Sequence, residues 1–156
     1  PLEVVDTVLQ VARGQGVTTI LNPAPARPLD PVLLAHCDVV VPNEHELELL
    51  GGLDALLAGG VGAVVVTLGS AGVLVADASG RRTRVEPFEV DPVDTTGAGD
   101  AFCGYLAARL AAGDPLTDAV RIAAAAGALA TTTAGAVPSL PRFDAVRRLG
   151  RPFSGG

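Results

Sequence analysis

Apolar positions along the chain switch repeatedly between a helical and a strand period. Leu2, Val4, Val5, Val8 and Leu9 share one helical face, and the run from Leu2 to Ala12 predicts a helix ended near Gly14 and Gly16. The β-branched run Val17 to Leu21 predicts a buried strand, and Asn22-Pro23-Ala24-Pro25-Ala26 a loop, because its prolines lack backbone donors. A short helix over Pro31 to Cys37, a strand over Asp38 to Val41 and a helix over Asn43 to Leu50 capped by Asn43 repeat the unit. Asp54 to Ala58 predicts one more short helix before Ala63 to Thr67, the clearest central strand. Gly69 to Gly72 predicts a turn, and Val73 to Ala76 with Thr83 to Val85 a hairpin at a sheet edge. Three helices follow: one to Ala112, one alanine-rich and reaching about Thr133, and one over Arg142 to Leu149. This alternation predicts an α/β fold of three layers, α/β/α, with a mostly parallel central sheet.

In such sheets ligands gather beyond the carboxyl ends of the strands. The exits here are Asn22 to Ala26, Pro42 to Glu46, Thr67 to Gly72 and Asp94 to Asp100, all polar or glycine-rich, and together they describe a nucleotide site. The last is the richest in chemistry. In Asp94-Thr95-Thr96-Gly97-Ala98-Gly99-Asp100-Ala101-Phe102 two glycines open an apolar helix and place a carboxylate in its first turn. The first N–H groups of a helix have no partner within it, so those near Ala98, Gly99 and Asp100 are predicted to face an anion, aided by the helix dipole. Asp100 beside them suits proton abstraction from a hydroxyl attacking a phosphate. The plainer reading is that Gly97 and Gly99 serve close packing and that Asp100 is an ordinary first-turn acid. The order of extended segment, Asp-Thr-Thr, Gly-x-Gly-Asp and helix favours a built site. For Asn43 and Glu46 the plain readings are a helix cap and a solvated helix face.

Composition narrows the classes. The 156 residues suit one domain, and 49% hydrophobic content with few aromatics suits helices and buried strands. A net charge of -6 and a pI near 4.7 argue against nucleic acid as a partner. Arg81, Arg82 and Arg84 form the dense basic cluster, read as a solvated hairpin. Lysine is absent, which excludes Walker-A and Schiff-base chemistry. Methionine is absent too, and a chain opening at Pro1 without signal-peptide character is expected to lack something N-terminal. Cys37 and Cys103 lack a C-x-x-C spacing, and His36 and His45 lack partners at metal-ligand spacing, so these are read as structural or surface residues of a reduced, cytoplasmic protein. No stretch reads as a membrane span.

Four ordered motifs then carry a resemblance over nearly the whole chain: Pro42-Asn43-Glu44-x-Glu46, Thr67-Leu68-Gly69-Ser70-x-Gly72, Asp94 to Phe102, and Gly135-Ala136-x-Pro138-Ser139-Leu140-Pro141. Together they resemble the C-terminal half of the ribokinase family, the phosphofructokinase-B-type sugar kinases. Asn22 to Ala26 and Pro138-Ser139 are similar to its ribokinase branch in particular.

The resemblance implies a ribokinase-like fold whose N-terminal half is missing, with residues 1–150 as its nucleotide-binding and catalytic part and 151–156 as a tail. It implies transfer of the γ-phosphate of ATP to a sugar's primary hydroxyl, ribose in the closest branch. Asp100 would be the base at the sugar hydroxyl, and the N–H groups of Gly97, Ala98 and Gly99 the anion hole. Asn43 and Glu46 match positions near the triphosphate and Mg²⁺, and Thr67, Gly69, Ser70 and Gly72 match the turn that holds the nucleotide. Asp94, Thr96, Ala130, Thr133, Gly135 and Ser139 match a potassium site built mostly from carbonyls, although Asp94 also reads as a turn acid. Ala124 departs from the family, standing where a polar side chain often approaches the adenine. The segment between Glu46 and Thr67 is shorter than the family pattern. The implied partners are a small sugar and ATP, with a homodimer through the missing part left open. Two competing readings stay beside this one: a kinase for another sugar or a nucleoside, and a noncatalytic adenylate-binding module.

Overall fold

The computed structural model describes residues 2–150, and the tail expected at 151–156 lies outside them. The described chain divides into two compact units, one running to Gly69 and taking in Leu74–Arg84, the other formed by Ser70–Val73 and the chain from Val85 onward.

The first unit is α/β. Helix α1 (Leu2–Gly14) leads to strand β1 (Ile20–Leu21), α2 (Pro31–Leu34), β2 (Val39–Val40), α3 (Glu44–Leu49), α4 (Leu53–Ala58) and β3 (Ala63–Thr67). Strands β4 (Val73–Asp77) and β5 (Arg82–Val85) complete a five-stranded sheet in the order β1-β2-β3-β4-β5. Parallel pairing joins Ile20 to Val39 and Leu21 to Val40, then Val39 to Ala63 and Val40 to Val64. A tight turn joins β4 to β5, closed by Asp77 accepting at its carboxylate from the Ser79 and Arg81 N–H groups, and a connection that short makes an antiparallel pair. Ala63 to Val66 are all buried, as a central strand covered on both faces requires. Around them pack Leu9, Leu33, Leu34, Cys37, Leu56 and Val61. Each such side chain contributes about 1.5–3 kcal/mol relative to exposure.

Several elements are shorter than their sequence patterns. Strand β1 starts at Ile20 rather than Val17 because side chains take over at its entrance: Thr19 N–H donates to Asp38 at 2.8 Å, and Thr19 Oγ1 donates to the His36 carbonyl at 2.8 Å. The Asp38 N–H in turn donates to Thr19 Oγ1 at 2.9 Å. Helix α2 stops at Leu34 instead of Cys37. On α1 only Leu9 is buried, whereas Val4, Val8 and Val11 remain 58%, 60% and 62% exposed.

The second unit is helical. It holds α5 (Ala98–Ala111), α6 (Leu116–Ala130) and α7 (Phe143–Leu149). Helix α6 buries Ala119, Val120, Ala123, Ala125, Ala126 and Ala130, a face small enough for close packing against α5. Its Gly127 faces the Ala98 carbonyl and the Phe102 side chain, which an added Cβ would meet at 3.4 and 3.6 Å. Val146 of α7 packs with Ala125 and Ala126, flanked by Phe88, Tyr105, Ile122, Leu129 and Leu149. Helix α6 ends at Ala130 rather than near Thr133, because the Thr131 and Thr132 hydroxyls donate to the carbonyls of Ala128 and Leu129 at 2.7 and 2.8 Å.

Candidate active site

Two helix N-termini carry most of the residues singled out in the sequence. In the first unit, Asn43 has extended backbone and caps α3: its Oδ1 accepts from the Glu46 N–H at 2.8 Å, and Glu46 Oε2 accepts from the Asn43 N–H at 2.8 Å. This reciprocal capping box realises the capping role of Asn43 and gives Glu46 a partner as well. A parallel bridge sets Asn43 beside Thr67, and the Thr67 N–H donates to the Pro42 carbonyl at 3.0 Å. Asn43, Glu46 and Thr67 are thereby brought together at the ends of β2 and β3, with Gly69 following in the 3₁₀ turn Gly69–Ala71.

In the second unit Ser70 is exposed and Gly72 is buried. Gly72 has φ +89°, and an added Cβ would collide with the Val85 carbonyl, so its glycine is required by the neighbouring backbone. Ala124 lies half-buried on α6.

The N-terminus of α5 is of another kind. Its cap is Gly97 at φ +81°, in the left-handed region, and no side chain closes it. A Cβ at Gly97 would stand 3.1 Å from Ala136 Cα, whereas Gly99 faces open space. The Ala98 N–H donates to the Thr95 carbonyl at 3.2 Å. Among the described residues the N–H groups of Gly97, Gly99 and Asp100 have no acceptor. Asp100 is exposed in the first turn, and its carboxylate has no hydrogen bond or ion pair among the described residues. An unshielded row of donors at a positive helix end, with a free carboxylate beside it, suits an anion approached by a hydroxyl.

Asp94 fastens the approach to that end. Its Oδ1 accepts from the Thr96 N–H at 2.9 Å, and its Oδ2 accepts from the Gly135 N–H at 2.8 Å. These donors, Gly135 first and then Thr96, hold the carboxyl down to about 2. The N–H groups of Val93 and Asp94 both donate to the Thr131 carbonyl, at 2.7 and 3.0 Å. Thr131 is thus a contact that the sequence reading missed, and no local pattern signals so distant a pair. Ser139 is buried; its N–H donates to the Gly135 carbonyl at 3.1 Å and its hydroxyl to the Ala136 carbonyl at 3.0 Å. The carbonyls of Thr96, Ala130 and Thr133 accept no hydrogen bond among the described residues.

His36 pairs with Asp6 at 3.2 Å, and burial pushes the Cys37 thiol up to about 11. Arg82 pairs with Asp54 at 2.8 Å on the surface. Among the described residues no group of three or more His, Cys, Asp or Glu is placed to hold a metal ion, and no helix is long and apolar enough to cross a membrane.

Strands and helices in alternation, with an open, glycine-capped helix N-terminus, define an α/β protein. The sequence matches the family described as pfkB family carbohydrate kinase over residues 1–142, and the chain belongs to that family. It is 40% identical to a ribokinase of Schizosaccharomyces pombe, over 90% of this chain and 49% of that protein. An Arabidopsis thaliana ribokinase complexed with ribose and ATP superposes with a TM-score of 0.86 at 29% identity, covering 97% of this chain and 53% of that one. Escherichia coli phosphofructokinase-2 in complex with potassium gives a TM-score of 0.78 at 28% identity, covering 96% and 52%. The chain spans about half the length of the relatives it matches. The fold class is therefore the ribokinase-like α/β class, with a mostly parallel sheet flanked by helices, as the alternation of elements predicts.

Proposed function

We propose that the protein containing this chain transfers the γ-phosphate of ATP to a primary hydroxyl of a small sugar, ribose first among the candidates, and that residues 1–150 supply its nucleotide and phosphate machinery. The single observation behind this reading is the open end of α5, where unpaired N–H groups stand beside an unpaired Asp100 carboxylate. Likeness to ribokinases, one of them holding ribose and ATP, favours that sugar and nucleotide.

Asp100 takes the proton from the attacking hydroxyl at its carboxylate. The N–H groups of Gly97 and Gly99 stabilise charge developing on the transferred phosphoryl group, joined by that of Ala98 when its long bond to Thr95 is released. The residues assigned to the nucleotide are Asn43, Glu46, Thr67 and Gly69 in the first unit and Ser70, Gly72 and the apolar Ala124 in the second. Glu46 would hold Mg²⁺ through water, and the ion would supply neutralising charge at the triphosphate.

The carbonyls of Thr96, Ala130 and Thr133, unpaired among the described residues, with Gly135, Ser139 and the Asp94 carboxylate, would offer a potassium ion an all-oxygen donor set. Carbonyls left over at the C-terminus of α6 carry partial negative charge, which strengthens that fit. A cation held there would order the segment entering Gly97.

Another sugar as acceptor is the second reading, favoured by the likeness to phosphofructokinase-2. The test is ATP-dependent phosphorylation of ribose, fructose and adenosine by the whole protein, with and without potassium, beside Asp100→Asn. Ribose turnover that Asp100→Asn lowers by about 10²–10⁴-fold is expected, the usual contribution of a general base. ATP binding without turnover of any acceptor by the folded whole protein would favour an adenylate-binding module instead.

A further inference from the structure

Between α6 and α7 the segment 131–141 has no regular structure, yet it carries Thr133, Gly135 and Ser139 and touches the glycine turn at Gly97 through Ala136. Its near end is fastened to the Asp94 loop by the bonds to Thr131 and Gly135. Its far end is fastened by a residue outside every motif: Tyr105, on α5 itself, donates its hydroxyl to the Pro141 carbonyl at 2.8 Å. The tyrosine ring lies parallel to Phe143, with centroids 6.4 Å apart and planes 8° apart. Arg109 stands 5.9 Å over the Phe143 ring and pairs with Asp114 at 2.6 Å, which covers one side of a ring otherwise 47% exposed. Burial raises the Tyr105 phenol, which keeps it a neutral donor.

We propose that Tyr105 is a positioning residue that holds the 131–141 segment against α5, and so sets how tightly the carbonyls of that segment take a monovalent cation. This rests on the potassium reading above. The helix that presents the anion-binding end also anchors the far end of the cation segment, so one rigid element references both. Without the hydroxyl, the Pro141 carbonyl loses its partner, and the far end of the segment is held to α5 less firmly, through its continuation into α7.

The test uses the whole protein as wild type, Tyr105→Phe and Phe143→Leu, each freed of potassium and titrated with potassium chloride against a sodium background. One readout is ATP-dependent ribose phosphorylation; the other, taken without nucleotide, is hydrogen exchange at the Gly135 and Ser139 amides. Tyr105→Phe should raise the half-saturating potassium concentration about fivefold in both, the scale of one neutral hydrogen bond, with kcat at saturating potassium within about twofold of wild type. Phe143→Leu, which keeps the hydroxyl, should lower Tm but leave both half-points within about twofold. A potassium-responsive wild type with unchanged half-points in Tyr105→Phe overturns the proposal, as does an equal shift in Phe143→Leu. A wild type that ignores potassium in both readouts overturns the cation reading and this inference with it.

Discussion

Helices α3 and α5 begin in opposite ways. At α3 the polypeptide supplies its own acceptors, with Asn43 and Glu46 exchanging bonds with each other's N–H groups. At α5 the cap is a left-handed glycine with no side chain, and donors are left over. A closed end contributes to stability whether or not a ligand is present, whereas an open end keeps its donors for something outside the chain. The contrast separates residues that close a helix from residues that leave its end open, even where both sit in motifs.

Closing the open end should have the larger effect. Gly97→Ala places a Cβ in the left-handed region and against Ala136, so it should cost about 1–3 kcal/mol in urea denaturation and raise KM for ATP. Unchanged stability and KM would mean that the turn relaxes freely and that its geometry is not needed. Opening the closed end is milder. Asn43→Ala should lower stability by about 1 kcal/mol through loss of the cap, measured in the same denaturation. Glu46→Gln keeps an oxygen to accept from Asn43 and removes only the charge near the helix end, so stability should fall by about 0.3–1 kcal/mol. A rise in the magnesium concentration needed for half-maximal turnover would then reveal a role for Glu46 beyond capping.

The smallest effect is a pH dependence at the approach to α5. The Asp94 carboxyl is held down to about 2 from its ordinary 3.8, so the folded state binds this proton less readily than the unfolded chain. Its contribution is therefore present above about pH 3.8 and lost as pH falls from there toward 2. Hydrogen exchange at the Gly135 amide, taken relative to its intrinsic rate at each pH, should accelerate over that window in wild type, and the acceleration should be blunted in Asp94→Asn. The same acceleration in both would assign it to another group.

Local patterns foretold the elements well because period and capping are local properties. The valine run before Thr67 and the Asn43 cap both stand where their residues imply. Element ends were less legible. The Thr131 and Thr132 hydroxyls stop α6, and the Thr19 and Asp38 side chains replace the start of a ladder, both through competing side-chain bonds. Least legible were contacts between distant positions. Asp94 to Gly135 was visible only as shared membership of a family cation set, and Tyr105 to Pro141 not at all, because no periodicity links residues so far apart in sequence. The glycine motif pointed to an open helix end, but only the structure separates the donor of Ala98, already bonded to Thr95, from those of Gly97, Gly99 and Asp100.

The most direct test of the central claim is an amide NMR titration of the whole protein with Mg-ATP, following the N–H groups of Gly97, Gly99, Asp100 and Glu46. Saturable downfield shifts at Gly97, Gly99 and Asp100, much larger than at the capped Glu46, are the result this account predicts. Saturable ATP binding that leaves those three amides unmoved would show that the open end of α5 does not receive the phosphate.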